Sequence, residues 1–260
     1  MRNLLTFLLI FCAFAAVAEE QPRERIAREN TPAIVAINVL KEDGSTFTGT
    51  GFVLTPDGLI ATSRHVTADA TYANVTFSNG AVSGEAKTLA QASNVDLALL
   101  KIEAQNLPTV VVTSSAVVRP GQEITVIGNP RRLQNTVSSG LISQVRKKAD
   151  GTIWHQISAP ISPSSSGSPV FNQDGKVISV AFASYPGENN QNLNFAVPSD
   201  YLLRLVQVAG FQLPQTDNDQ AQLPATVNEN PLARHCKKAW EILKRLFNQP
   251  RSKGPTQSRA

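Results

Sequence analysis

Between Pro32 and Ala183 the chain alternates short apolar runs with polar, Gly-, Pro-, Asn- or Asp-bearing breaks. Val35 to Leu40, Gly51 to Thr55, Leu59 to Ala61, Asn74 to Phe77, Leu97 to Ile102, Thr109 to Val112, Glu123 to Ile127, Leu141 to Val145, Thr152 to Ser158 and Val177 to Ala183 read as strands. So many short strands with turn signals between them predict an all-β sandwich or barrel rather than βαβ units. Pro56-Asp57-Gly58 and Gln173-Asp174-Gly175 predict tight turns, because Gly reaches the positive φ that such turns require. The pattern changes after Pro198. Ser199 begins a helical segment in which Tyr201, Leu202, Leu205 and Val206 share one face, so a closing helix ends the domain near Gly210.

The two ends follow different rules. Met1-Arg2-Asn3, an apolar run from Leu4 to Val17 and the small-x-small Ala16-Val17-Ala18 predict a cleaved secretory signal over residues 1–18. The run is too short to span a bilayer comfortably, since about 20 apolar residues are needed. Cys12 lies within it and lacks a lipobox-like context. After cleavage Cys236 is the only cysteine, so a secreted or periplasmic protein is expected to meet an oxidising compartment without an internal disulfide. Residues 19–30 are charged and read as an exposed leader or a short helix. Residues 211–230, rich in Gln, Asn, Asp and Pro, read as a linker. Over residues 231–248, Leu232, Cys236, Trp240, Leu243 and Phe247 keep helical spacing among basic residues. This helix either docks on its own domain or meets an acidic membrane surface or partner. Residues 249–260 read as frayed. Charge divides accordingly: residues 231–260 hold eight Lys or Arg against Glu241, whereas 19–230 hold fifteen against nineteen acids. The body is mildly acidic and the tail basic, which argues against a nucleic-acid partner for the folded domain.

One stretch does not fit a scaffold role. Ile161-Ser162-Pro163-Ser164-Ser165-Ser166-Gly167-Ser168-Pro169-Val170 lies between two strand-like segments, where a flexible linker does not belong. It reads either as a Ser-rich surface turn or as a tight loop aiming one hydroxyl and its neighbouring N–H groups into a cleft. Acyl transfer by serine also needs a base and a carboxylate that orients it. His65 follows the apolar strand ending at Ala61, and Asp96 directly precedes Leu97 to Ile102, where an unpaired carboxylate would be unfavourable. His65, Asp96 and Ser166 thus stand at three strand ends. His155 and His235 are spare, no metal-ligand cluster is seen, and no phosphate-binding Gly-rich loop is present.

Together these residues resemble a trypsin-like serine protease of the HtrA (Deg) type. The likeness runs through Pro32-Ala33-Ile34-Val35-Ala36-Ile37, Gly49-Thr50-Gly51-Phe52-Val53, Thr62 to Val66 with Ser63 where Asn is usual, Asp96 to Lys101, Gly121-Gln122-Glu123, Ile127-Gly128-Asn129-Pro130, Val137 to Ser143 and Asn194 to Ser199. It implies a double six-stranded β-barrel over residues 31–210, with Ser166 as nucleophile, His65 as general base and then acid, and Asp96 as the orienting carboxylate. The N–H groups of Ser164 and Ser166 would form the oxyanion hole, although Ser164 stands where the family usually has Gly. Only fifty residues follow Gly210, too few for the PDZ module that many relatives carry. No residue supports activation by a new buried N-terminus, so control by loop ordering is expected. Pro160, Ile161, Ala183 and Ser184 line the expected substrate pocket without a charge, which favours small or aliphatic residues at the cleaved position. The resulting expectation is a cofactor-free serine endopeptidase acting on protein or peptide segments, with oligomerisation left open. The alternative is a binding or chaperone-like module whose altered loop leaves the triad unassembled.

Overall fold

The computed structural model describes residues 20–129, 135–184 and 193–213. The expected signal segment, most of the linker, the basic helix and the tail lie outside the described residues.

Seven strands make the first sheet: β1 (Ile34–Lys41), β2 (Thr46–Val53), β3 (Leu59–Thr62), β4 (Ala70–Phe77), β5 (Val82–Glu85), β6 (Lys87–Gln91) and β7 (Ala98–Lys101). They pair in the order β5-β4-β1-β2-β3-β7-β6. The two outer strands are continuous in sequence, separated only by Ala86, whose N–H donates to Ala73 O at 2.7 Å. β5 and β6 are therefore one bent strand that leaves β4 and reaches β7, closing a six-stranded barrel. The second sheet holds β8 (Val111–Val112), β9 (Glu123–Gly128), β10 (Thr136–Lys147), β11 (Ile153–Ile157), β12 (Pro169–Phe171), β13 (Lys176–Ser184) and β14 (Asn194–Pro198). Its order is β12-β9-β10-β11-β14-β13-β8, and the further pairing of β12 with β13 closes it. β8 is a two-residue parallel addition outside that closure. The double six-stranded barrel is what the chain forms.

Both barrels are held by buried apolar side chains, which in the first occupy both faces of the sheet. Ile37, Phe52, Leu59, Leu99 and Leu100 are fully buried in the first, and Ile142, Ile157, Val170 and Ala181 in the second. Complete burial of such side chains stabilises by roughly 1.5–3 kcal/mol each. α1 (Pro22–Asn30) begins with Pro at its first position, where the missing N–H has no intrahelical partner to lose. Ile26 and Asn30 are buried, and Arg25 donates to Gln173 O at 2.9 Å. The charged segment is thus a helix docked on the domain; its polar faces hid the single buried Ile26 from a hydrophobicity reading. α2 (Ser199–Val208) buries Leu202, Leu205 and Val206, as its spacing predicts. Asp200 accepts from Ser114 Oγ and Ser115 Oγ, both at 2.8 Å, and Tyr201 Oη accepts from Ile153 N–H at 3.0 Å.

His155 on β11 is buried, and its Nδ1 lies 2.6 Å from Ser179 Oγ. That hydroxyl already donates to Ile178 O, so the imidazole N–H is the donor in the pair. Burial lowers the His155 pKa from 6.5 to about 4, against a smaller opposing influence of Asp200. The unfolded chain therefore takes up a proton below pH 6.5 that the folded chain refuses until about pH 4. Stability from this group is complete above 6.5 and declines as pH falls through that window, by up to about 3 kcal/mol. Urea unfolding midpoints measured from pH 7 to 4 should fall less steeply in His155→Gln than in the wild type; parallel curves would refute this origin.

Candidate active site

His65 sits in a short 3-10 turn, Arg64–Val66, directly after β3. Asp96 precedes β7, the strand paired with β3, so the ladder between them brings the two loops side by side. Asp96 grips His65 twice. Its Oδ1 accepts the His65 backbone N–H at 2.9 Å, and its Oδ2 lies 2.5 Å from His65 Nδ1. A carboxylate can only accept, so Nδ1 carries the proton and Nε2 is left as the basic nitrogen. The Asp96 side chain is 17 % exposed and that of His65 42 % exposed, so the acid is shielded while the imidazole is open to solvent. Phe47 packs edge-on against the imidazole with ring centroids 6.4 Å apart.

Arg64 adds a clamp that sequence reading missed. Its Nη1 donates to Ala92 O at 2.7 Å and to Ser93 O at 3.2 Å, fastening the loop that carries Asp96 to the loop that carries His65. The acceptors are main-chain carbonyls, which leave no trace in a motif. Ser63, at the position where Asn was expected, is buried and donates to Ala181 O at 3.2 Å, tying the histidine loop to the second barrel.

The serine loop runs from β11 to β12. Pro163 holds φ negative, Ser164 has φ +75°, and Ser165 N–H donates to Ser162 O at 2.9 Å. Negative then positive φ with that hydrogen bond defines a type II turn over Ser162 to Ser165. Ser164 thus keeps the backbone conformation that Gly adopts without strain, at a cost of roughly 1–2 kcal/mol. Among the described residues neither Ser164 N–H nor Ser166 N–H donates to any group, whereas the intervening Ser165 N–H is used. Two unpaired amides flanking a hydroxyl are the donor set that a developing oxyanion requires. Ser166 Oγ itself donates a long bond, 3.4 Å, to Phe182 O, and no hydrogen bond joins it to His65. The structure therefore brings Asp96 and His65 into contact, sets the serine turn at the barrel seam, and leaves the serine-to-histidine contact unmade.

Of the expected pocket residues, Ile161 is half-buried against the second core. Ala183 and Ser184 lie on β13 opposite Phe195 and Asn194, and their side chains fall outside the described residues.

Residues 49–180 match the family model described as trypsin-like peptidase domain. Putative serine protease HhoB of Synechocystis sp. is 37% identical over 158 residues, 58% of this chain and 37% of that protein. A probable periplasmic serine endoprotease DegP-like of Chlamydia pneumoniae is 37% identical over 163 residues, 61% of this chain and 33% of that protein. Serine protease HTRA2, mitochondrial, of Bos taurus is 33% identical over 191 residues, 68% and 41% respectively. The matched region thus spans less than half the length of these curated relatives. A solved structure of the HtrA-type protease AlgW with tripeptide superposes with a TM-score of 0.66 at 26% identity, covering 71% of this chain and 62% of that one.

Gly167, next to Ser166, has φ +90°, and a Cβ there would stand 2.0 Å from Thr50 O and 2.4 Å from Thr62 Oγ1. The first of these is backbone and cannot swing aside. Gly167→Ala should destabilise the protein by about 3 kcal/mol or more, combining overpacking with a strained φ. Chemical denaturation would read this directly, and a midpoint equal to wild type would show that the seam is looser than described.

Proposed function

The chain belongs to the trypsin-like peptidase family, and from that premise we propose that it is an HtrA-type serine endopeptidase using a Ser166–His65–Asp96 triad. The observation that carries this reading is the double grip of Asp96 on His65, backbone N–H at 2.9 Å and Nδ1 at 2.5 Å, which fixes the tautomer that a general base needs. In the first step His65 Nε2 removes the Ser166 hydroxyl proton while Oγ bonds to the substrate carbonyl carbon. The carbonyl oxygen takes the negative charge, held by Ser164 N–H and Ser166 N–H. Collapse breaks the C–N bond, and His65 returns its proton to the leaving amine. Water then attacks the acyl-enzyme ester with His65 again taking a proton, releasing the acid and restoring Ser166. Asp96 stays ionised and stabilises the imidazolium formed in each half-reaction.

Substrate side chains at the cleaved bond would meet Ile161, Ala183 and Ser184, an uncharged set that suits small or aliphatic residues, because a Lys or Arg would lie there unpaired. Unfolded or exposed protein segments are the fitting substrates. A secreted or periplasmic location accords with the periplasmic naming of DegP-like relatives and with the apolar leader.

A second reading, a protease-fold binding module, draws on one observation: the Ser166 hydroxyl donates to Phe182 O instead of His65. Catalytic contacts are often long in unliganded enzymes and tighten around substrate, so this contact alone does not outweigh the Asp96–His65 pair.

Intact mass after treatment with a fluorophosphonate separates the two. A working triad gives one adduct, absent from Ser166→Ala and His65→Ala, and Asp96→Asn should lower kcat by about 10⁴-fold through the wrong tautomer. A wild-type protein that remains unmodified while folded would overturn the protease reading.

A further inference from the structure

Thr50, in the middle of Gly49-Thr50-Gly51 on β2, is completely buried at the meeting of the two barrels and uses every polar group it has there. Its N–H donates to Ser166 O at 2.9 Å. Its hydroxyl donates to Ser164 O at 2.8 Å and accepts from Asn129 N–H at 3.0 Å. Its own carbonyl accepts from Thr62 Oγ1 at 2.7 Å. Asn129 is in turn fixed, with its Nδ2 donating to Val35 O at 2.9 Å. Thr50 therefore connects β2 to the end of β9 and to the serine turn, and the Asn129 side chain extends the link to β1.

The two carbonyls that Thr50 holds are those of Ser164 and Ser166, the residues whose amides donate to no group among the described residues. Ser164 O belongs to the peptide plane shared with Ser165 N–H, and that N–H is tied to Ser162 O. This plane is thus pinned at both ends, by Thr50 and by Ser162. Ser166 O belongs to the plane shared with Gly167 N–H, which donates to Ala181 O at 2.7 Å. It too is pinned at both ends. The peptide between them, carrying Ser166 N–H, can turn only as far as its two fixed neighbours allow.

We propose that Thr50 is a positioning residue for catalysis: its buried hydroxyl, held by Asn129 N–H, fixes the Ser164–Ser165 peptide and so aims the oxyanion donors. Its side chain touches neither substrate nor a triad side chain and acts through the main chain of the turn. The inference rests on the oxyanion role given to Ser164 and Ser166 above. It explains why a hydroxyl is needed between two glycines. An apolar side chain of the same shape fills the space and keeps the main-chain bond to Ser166 O, yet releases Ser164 O and leaves Asn129 N–H buried without an acceptor.

The test uses the full chain as Thr50→Val, which keeps shape and loses the hydroxyl, and Thr50→Ser, which keeps the hydroxyl. Fluorescein-labelled unfolded casein supplies kcat and KM, and a fluorophosphonate supplies the labelling rate, both at temperatures well below each variant's Tm. Thr50→Val should lower kcat and the labelling rate by roughly ten- to a hundredfold with KM little changed, as expected for a displacement of about 1 Å at the reacting groups. Thr50→Ser should retain most of the wild-type rate. A Thr50→Val protein with a lower Tm and unchanged kcat would reduce Thr50 to a structural role and overturn the proposal, as would a change confined to KM. If the wild type itself takes no Ser166-dependent adduct, the protease reading fails, and the crystal structure of Thr50→Val decides the positioning claim by itself. A displaced Ser164 carbonyl would support it, and a carbonyl superposing on that of the wild type would sink it.

Discussion

The molecule turns on a place where no side chain fits. At Gly167 the serine loop of the second barrel presses against Thr50 and Thr62 of the first, so closely that a Cβ would stand 2.0 Å from a backbone oxygen. That approach is what lets Thr50 N–H reach Ser166 O and Ser63 Oγ reach Ala181 O. The histidine and aspartate loops belong to the first barrel, and the serine loop to the second. Without contact at van der Waals limit between the two, the site would exist in halves. Close packing is usually discussed as a source of stability, but here it also brings the serine loop against strands of the barrel that carries His65 and Asp96.

The same seam explains how a serine survives in a left-handed conformation. Ser164 carries φ +75°, which an L residue with a side chain adopts at a disadvantage. Such strain persists only where surrounding contacts over-determine the backbone. They do so here: Pro163 restricts the preceding φ, Ser165 N–H closes the turn on Ser162 O, and Thr50 Oγ holds Ser164 O. The departure from Gly at this position reads in the sequence as a threat to one donor. In the folded chain it is a local strain of roughly 1–2 kcal/mol, carried by the fixed groups around it.

How much of this was legible in the sequence depends on the range of the interaction. Strands with continuous Val, Ile and Leu runs, such as Leu97 to Ile102, declare themselves, because burial on both faces demands them. β5 does not: Val-Ser-Gly-Glu is exposed or half-exposed throughout, and only its continuity with β6 shows that it closes the barrel. β12 is three residues long and begins with Pro, so its place between β9 and β13 is set by tertiary pairing alone. At the candidate site, His65, Asp96 and Ser166 are visible because their chemistry is unusual at strand ends. Arg64 and Thr50 are invisible because their partners are main-chain carbonyls and amides, 28 and 114 residues away in the case of Ala92 and Ser164.

The contrast among identical residues is the firmest argument that environment assigns the chemistry. His65 and His155 each bond a single side chain through Nδ1. The partner of His65 is the carboxylate of Asp96 near the surface, whereas the partner of His155 is the hydroxyl of Ser179 in the interior of a barrel. Burial drives the second histidine's pKa down to about 4 and closes it off from solvent, which leaves it a packing residue of the barrel. The serines divide likewise. Ser165 and Ser168 are buried, and Ser168 Oγ has no hydrogen-bond partner among the described residues. Ser162 and Ser164 serve the turn through their carbonyls. Ser166 is the one whose part-exposed hydroxyl stands with two amides, its own and that of Ser164, that donate to no group among the described residues. Among five serines in seven positions, the anchored turn, not the composition of the loop, thus singles out Ser166 as the candidate nucleophile.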